Sequence, residues 1–129
     1  MAMVKKQTFK ITKATEWDNA EDVSTIVAQK HNANNEVTAF ENLLNETHES
    51  GDMEGADWID PTDPKVCHIV RYWTQEGWDR YQSLRDSLEM TESVDLTYEE
   101  SVEDVDLDAA AAAEQLEAVV PQDVNQLPE

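Results

Sequence analysis

Five carboxylates crowd one stretch marked by Gly51, Gly55, Pro61 and Pro64: Asp52, Glu54, Asp57, Asp60 and Asp63. Converging acids are a common way to hold a divalent cation, but a calcium loop of the EF-hand kind sets them at every second position with glycine at the sixth. Here most stand three apart and the prolines hold the chain open. A solvated acidic hairpin is the expectation. The softer ligands are His31, His48, His68 and Cys67. Cys67 and His68 are neighbours in a strand-like run, so they point to opposite faces and cannot share one ion. No Cys-x-x-Cys or His-x-x-x-His pair is present. Neither a metal nor a cofactor is expected. As a nucleophile Cys67 would need a nearby base and an electropositive setting; in mid-strand it reads as a small buried hydrophobe. Three glycines supply no loop to cradle phosphate.

Two further groups are candidates for binding rather than catalysis. Trp58, Tyr72, Trp73, Trp78 and Tyr81 form a dense aromatic set, which with His68 suits a core, an interface between protomers, or the lining of a small pocket. The second group is electrostatic. Arg85 is the last basic residue; residues 86–129 hold 14 acids, while residues 1–85 hold the other 15 and all nine Lys and Arg, within a net charge of −20. A block of one sign at a chain end usually solvates, repels or binds something basic. Its candidate partner-binding residues are Glu99, Glu100, Glu103, Asp104, Asp106 and Asp108, with Leu116, Val119 and Val120 on a following helix. This balance argues against direct contact with nucleic acid or anionic lipid, both of which recruit Lys and Arg to phosphate.

Periodicity supplies the elements that must position these groups. Residues 5–13 alternate as a half-buried strand. Trp17, Ala20, Val23, Ile26 and Val27 predict a helix over about 18–31, with turn-forming asparagines after it. Val37, Phe40, Leu43, Leu44 and Thr47 predict a second over 36–49, ended by Gly51. Ala56, Trp58 and Ile59 make a short strand, and Val66–Trp73, apolar on both faces, a central one. Thr74 is the expected N-cap of a helix carrying Trp78, Tyr81, Leu84, Arg85 and Leu88. Val94, Leu96 and Tyr98 alternate as the last strand. The succession β-α-β-β-α-β predicts an α+β, ferredoxin-like antiparallel sheet over 1–98 with helices on one face.

Residues 99–129 are expected to form a separate acidic tail. Residues 99–108 read as extended or disordered, because a helix would stack Glu99 over Glu103 and Glu100 over Asp104. A short Ala-rich helix over 108–120 follows, capped by Asp108 and stopped by Pro121. The single cysteine excludes an internal disulfide and suits a reducing compartment. No run of 18 apolar residues occurs and Met1–Lys6 has no apolar leader core, so cytoplasm, a host's or a virion's context included, is the expected location.

Val66–Trp73 followed by Thr74-Gln75-Glu76-Gly77-Trp78-Asp79-Arg80-Tyr81, within residues 66–88, resembles the terminal strand–helix unit of dimeric α/β-barrel proteins. It is also similar to short proteins of tailed phages. The first resemblance implies a ferredoxin-like fold that pairs into dimers. Some members of that superfamily are cofactor-less monooxygenases or haem degraders, for which His68 is the candidate counterpart, with no second catalytic position to align.

The leading expectation is a non-enzymatic, phage-encoded interaction or assembly protein. It would self-associate through its aromatic sheet and dock a basic protein surface by its acidic tail. Two alternatives stay open: a nucleic-acid mimic that occupies a DNA- or RNA-binding protein, and a small-ligand binder or enzyme of the dimeric barrel class with an enclosed pocket near His68 and Trp58. Mimicry is limited by density. Ten acids over residues 86–108, if extended, give one charge every ~7–8 Å against ~1.7 Å on duplex DNA.

Overall fold

The computed structural model describes residues 2–17, 34–86 and 96–120. In chain order these form β1 (Ala2–Lys13), α1 (Asn34–Ser50), β2 (Met53–Ile59), β3 (Val66–Trp73), α2 (Gln75–Asp86), β4 (Leu96–Asp108) and α3 (Ala109–Val119). The fold is α+β: one four-stranded sheet, ordered β2-β3-β1-β4 and antiparallel at every pairing, with three helices. The helix expected over 18–31 and the position of Val94 lie outside the described residues.

Local chemistry accounts for the element ends. Gly51 has φ 84, a left-handed conformation that glycine adopts without a Cβ clash. It closes α1 as the Gly51 and Asp52 amides donate to the His48 and Thr47 carbonyls at 3.2 and 2.8 Å. Thr74 caps α2, its hydroxyl accepting from the Gly77 amide at 3.1 Å. Asp108 caps α3, its carboxylate accepting from the Ala111 amide at 2.8 Å.

Register divides the side chains between two faces. Gln7 pairs with Arg71, Phe9 with Ile69 and Ile11 with Cys67; the alternate set is Lys6 with Tyr72, Thr8 with Val70 and Lys10 with His68. The first face lies under α1 and α2. Phe9, Ile11, Cys67 and Ile69 pack with Trp17 there, and Trp73 and Met53 pack with Leu43 of α1 and Tyr81 of α2. β3, between β2 and β1, is buried at every position but His68, as a central strand should be.

Two expectations need correction. Helices do not keep to one face: α3 lies on the other, where Ala112, Leu116 and Val120 pack on Met3, Trp58, Val70 and Tyr72. Nor is the segment after residue 98 a separate appendage. Its local conformations are as expected, extended and then helical from an Asp108 cap, but β4 runs unbroken through Asp108 and pairs with β1 along almost its whole length. The cause is charge across the ladder. Lys5 stands opposite Asp104, Lys6 opposite Glu103 and Lys10 opposite Glu99. The repulsion that disfavours a helix in 99–108 is relieved when a basic strand lies alongside.

Gly77 marks where α2 meets the α1–β2 junction. A Cβ there would stand 2.7 Å from the Asp52 carbonyl oxygen and 3.2 Å from Trp73 Cε3. Asp52 cannot retreat freely, since that carbonyl accepts from the Thr74 amide at 2.9 Å. Gly77→Ala gains about 1 kcal/mol of helix propensity and loses about 1–3 kcal/mol to overpacking. With backbone as the obstacle, the expected net result is lower stability, read as a reduced midpoint in urea; a raised midpoint would refute the close approach.

Candidate functional site

The acids of β4 stand along one rim of the sheet, alternating between its two faces, and their neighbours decide what each can do. Glu103 is paired with Lys6 at 3.8 Å, Asp104 with Lys5, and Glu100 with Arg85. Glu100 is largely buried, accepting from both terminal nitrogens of Arg85 and from Gln7 Nε2 at 2.8 Å. Asp108 is committed to the helix cap. Glu99, Asp106, Glu114 and Glu117 are exposed and, among the described residues, take part in no ion pair. The sheet order leaves the outer edge of β4 without a strand partner among the described residues. Val102, on that strand, is 43% exposed, an apolar side chain among acids that the sequence pattern alone did not single out. On the opposite face of β4 from Val102, Thr8, Lys10, Glu99 and Ser101, with Glu100, line a concavity of about 260 Å³.

The apolar members of the expected partner-binding set separate. Leu116 and Val120 are buried against the sheet and are not available to a partner, whereas Val119 is 46% exposed. The aromatic set also divides. Trp58 and Tyr72 lie beneath α3, whereas Trp73 packs on the other face against Tyr81 and Trp78 of α2 and Leu43 of α1. Trp73 stacks near Tyr81 with ring centroids 5.0 Å apart and donates from Nε1 to Gln7 Oε1 at 3.1 Å. Tyr72 Oη donates to Gln115 Oε1 at 2.7 Å, tying α3 down by a polar contact as well as by packing. The apolar face expected to recruit a second copy is thus occupied by the chain's own last helix. His68 stacks on Trp58 at 5.3 Å and its Nε2 lies 2.9 Å from Asp60 Oδ2. The clefts lined by Leu43 and Arg80, by His48 and Arg71, and by Lys10 and Glu99 include neither residue of that pair.

The loop acids hold the chain rather than converge. Asp60 accepts from the Thr62 amide and hydroxyl and from the Asp63 amide, shaping the turn between β2 and β3. The His68 contact, followed by those Thr62 bonds, holds its carboxyl far below the ordinary range. Asp52 is buried, accepting 2.7 Å bonds from the Ser50 and Thr74 hydroxyls, which lower its pKa in that order. A depressed carboxyl adds stability above its unfolded pKa of ~3.9 and loses it as pH falls through the folded value. Asp52→Asn is therefore expected to flatten the acid side of a stability–pH curve while changing the neutral side less; an unchanged acid limb would count against the clasp. Among the described residues no three His, Cys, Asp or Glu gather as a metal site would require.

Cys67 is fully buried, its thiol donating to the Trp58 carbonyl at 3.3 Å. Burial, then the nearby Asp57 charge, pushes the thiol up to about 12. Since the thiolate is the reactive form, a disulfide reagent at pH 8 is expected to label Cys67 no faster than the protein opens; rapid labelling of the native state would contradict this burial.

A second polar feature lay beyond sequence reasoning. Arg71, on the central strand, is only 7% exposed, and lines a cleft of about 250 Å³ between α1 and the β2–β3 pair with Asn45, His48, Asp57 and Gly55. Burial lowers the pKa of its guanidinium, an effect opposed by Tyr81, Asp57 and Glu100. Gly55 makes room for it: a Cβ there would stand 3.1 Å from Arg71 Cγ. Nothing in the run Val66–Trp73 distinguishes a buried arginine from one reaching solvent.

None of the described helices is long and apolar enough to cross a membrane. Comparison with protein-family models, with curated proteins and with solved structures finds no match for this chain.

Proposed function

We propose that this chain is a non-catalytic interaction or assembly module that docks a basic protein surface through the side formed by β4 and α3. The observation that carries this reading is the position of β4, with six acids in residues 99–108, at the rim of the sheet. Four exposed carboxylates, Glu99 and Asp106 of β4 and Glu114 and Glu117 of α3, find no ion pair among the described residues, within a chain of net charge −20. Such a field speeds association with basic surfaces and fades with salt. The strand order β2-β3-β1-β4 supports a ferredoxin-like reading of the body. Nucleic-acid mimicry has less support, because Glu100, Glu103 and Asp104 are each offset by a cation of the same chain.

The test is affinity purification of the full-length chain followed by carboxylate-directed cross-linking and mass spectrometry. A basic partner cross-linked at Glu99, Asp106, Glu114 or Glu117, and released by about 0.5 M salt as screening shortens, is expected. Partners that are not basic, or cross-links confined to the α1–α2 side, would sink the proposal.

A further inference from the structure

Resting on that reading, we infer that the partner binds by strand addition: an extended basic segment, alternating Lys or Arg with apolar or β-branched residues, pairs along the outer edge of β4. An edge strand presents alternate backbone N–H and C=O groups outward, a template for another chain. β4 has thirteen residues, and its pairing with β1 keeps regular register from Leu96 to Asp104, with an irregularity only opposite Met3–Lys5. That regular stretch is long enough for an ordinary strand of about 5–6 residues.

Charge selects the occupant. Successive side chains on a strand alternate faces, so Glu99 and Glu103 lie on one face of β4, Glu100 and Asp104 on the other. A second copy of β4 laid alongside would set carboxylates against carboxylates, and like charges directly opposed destabilise a sheet. The edge is closed to itself and open to its electrostatic complement, which is how edge strands gain specificity. The inner neighbour demonstrates the complement: β1 offers Lys5, Lys6 and Lys10 to Asp104, Glu103 and Glu99, with Gln7, Thr8 and Phe9 between and Ile11 following. A segment of the same pattern on the outer side meets Glu99 and the 260 Å³ concavity on one face and the exposed side chain of Val102 on the other. Main-chain bonds then supply affinity, and alternate side chains supply choice of partner.

The probe is a synthetic peptide with the sequence of residues 4–13, titrated into the intact protein at low salt by fluorescence anisotropy. Two further peptides carry N-methyl groups at odd or at even positions. Each keeps every charge and removes one of the two rows of N–H donors. Strand addition expects the parent to bind and one methylated phase alone to weaken, by about tenfold or more, since several net hydrogen bonds are lost. It also expects slowed amide exchange within Thr97–Asp104, and weaker binding to Glu99→Gln. Equal binding by the parent and both methylated peptides would overturn strand addition and leave acidic docking standing. Failure of the parent to bind at all would overturn both.

Discussion

A chain ending at Tyr98 is expected not to fold, although its composition resembles that of a self-sufficient body. It would retain only Leu96, Thr97 and Tyr98 of β4 and none of α3. β1 would become an edge, and Lys5, Lys6 and Lys10 would lose the carboxylates opposite them. A chain ending at Asp108 keeps the strand and isolates the helix's contribution. Met3, Trp58, Val70 and Tyr72 then lose the cover of Ala112, Leu116 and Val120. Exposed apolar patches of that kind drive association, so this shorter chain should elute as oligomers where the full chain does not. The point substitutions are graded. Leu116→Ala should cost about 2–3 kcal/mol, as deletion of a buried leucine side chain does. Val119→Ala, on the exposed side of the same helix, should stay within about 0.5 kcal/mol. A chain stopped at Tyr98 that melts cooperatively at the full-length temperature would restore the separable tail.

That contrast also locates what the sequence makes legible. Features set within a few residues are readable: the Gly51 stop, the Thr74 and Asp108 caps, the span of β3 and the helix after Asp108. Features set by a distant partner are not. The acidic run 99–108 looks self-repelling until β1, nearly a hundred residues earlier, is laid beside it with its lysines in register. The stripe of α3 shows similar ambiguity. Ala112, Leu116 and Val120 are buried while Val119, on the same expected stripe, is not. A periodic pattern names an apolar face without naming what it covers. The aromatic residues form one set by their closeness in sequence, but Tyr72 and Trp73 are strand neighbours and must diverge to opposite faces.

The same distinction governs the second large expected effect, Glu100→Ala. Of the three β4 acids paired with a cation, Asp104 is the bland one. Its side chain is 85% exposed, and exposed pairs are worth about 0–1 kcal/mol. Asp104→Asn should hardly move a urea midpoint, and less still at high salt. Glu100 differs because it faces inward, at Phe9 in the register, beneath the turn of α2 that carries Arg85. Its carboxylate accepts from Arg85 and Gln7, and Gln7 in turn accepts from Trp73 in the core. Its charge also favours the cationic form of buried Arg71. Alanine at 100 would leave two guanidiniums on the helix–sheet interface without that counter-charge and would strip Gln7 of an acceptor. Removing one partner of a largely buried pair is strongly destabilising, and a loss of about 3 kcal/mol is expected. Removing Arg85 at the same time, as Arg85→Met, should return part of it, because the second deletion takes away one of the uncompensated charges. A double-mutant cycle in urea measures that return. Additive losses would mean that Glu100 and Arg85 act independently and that the inward-facing acid of β4 is no more than another surface charge.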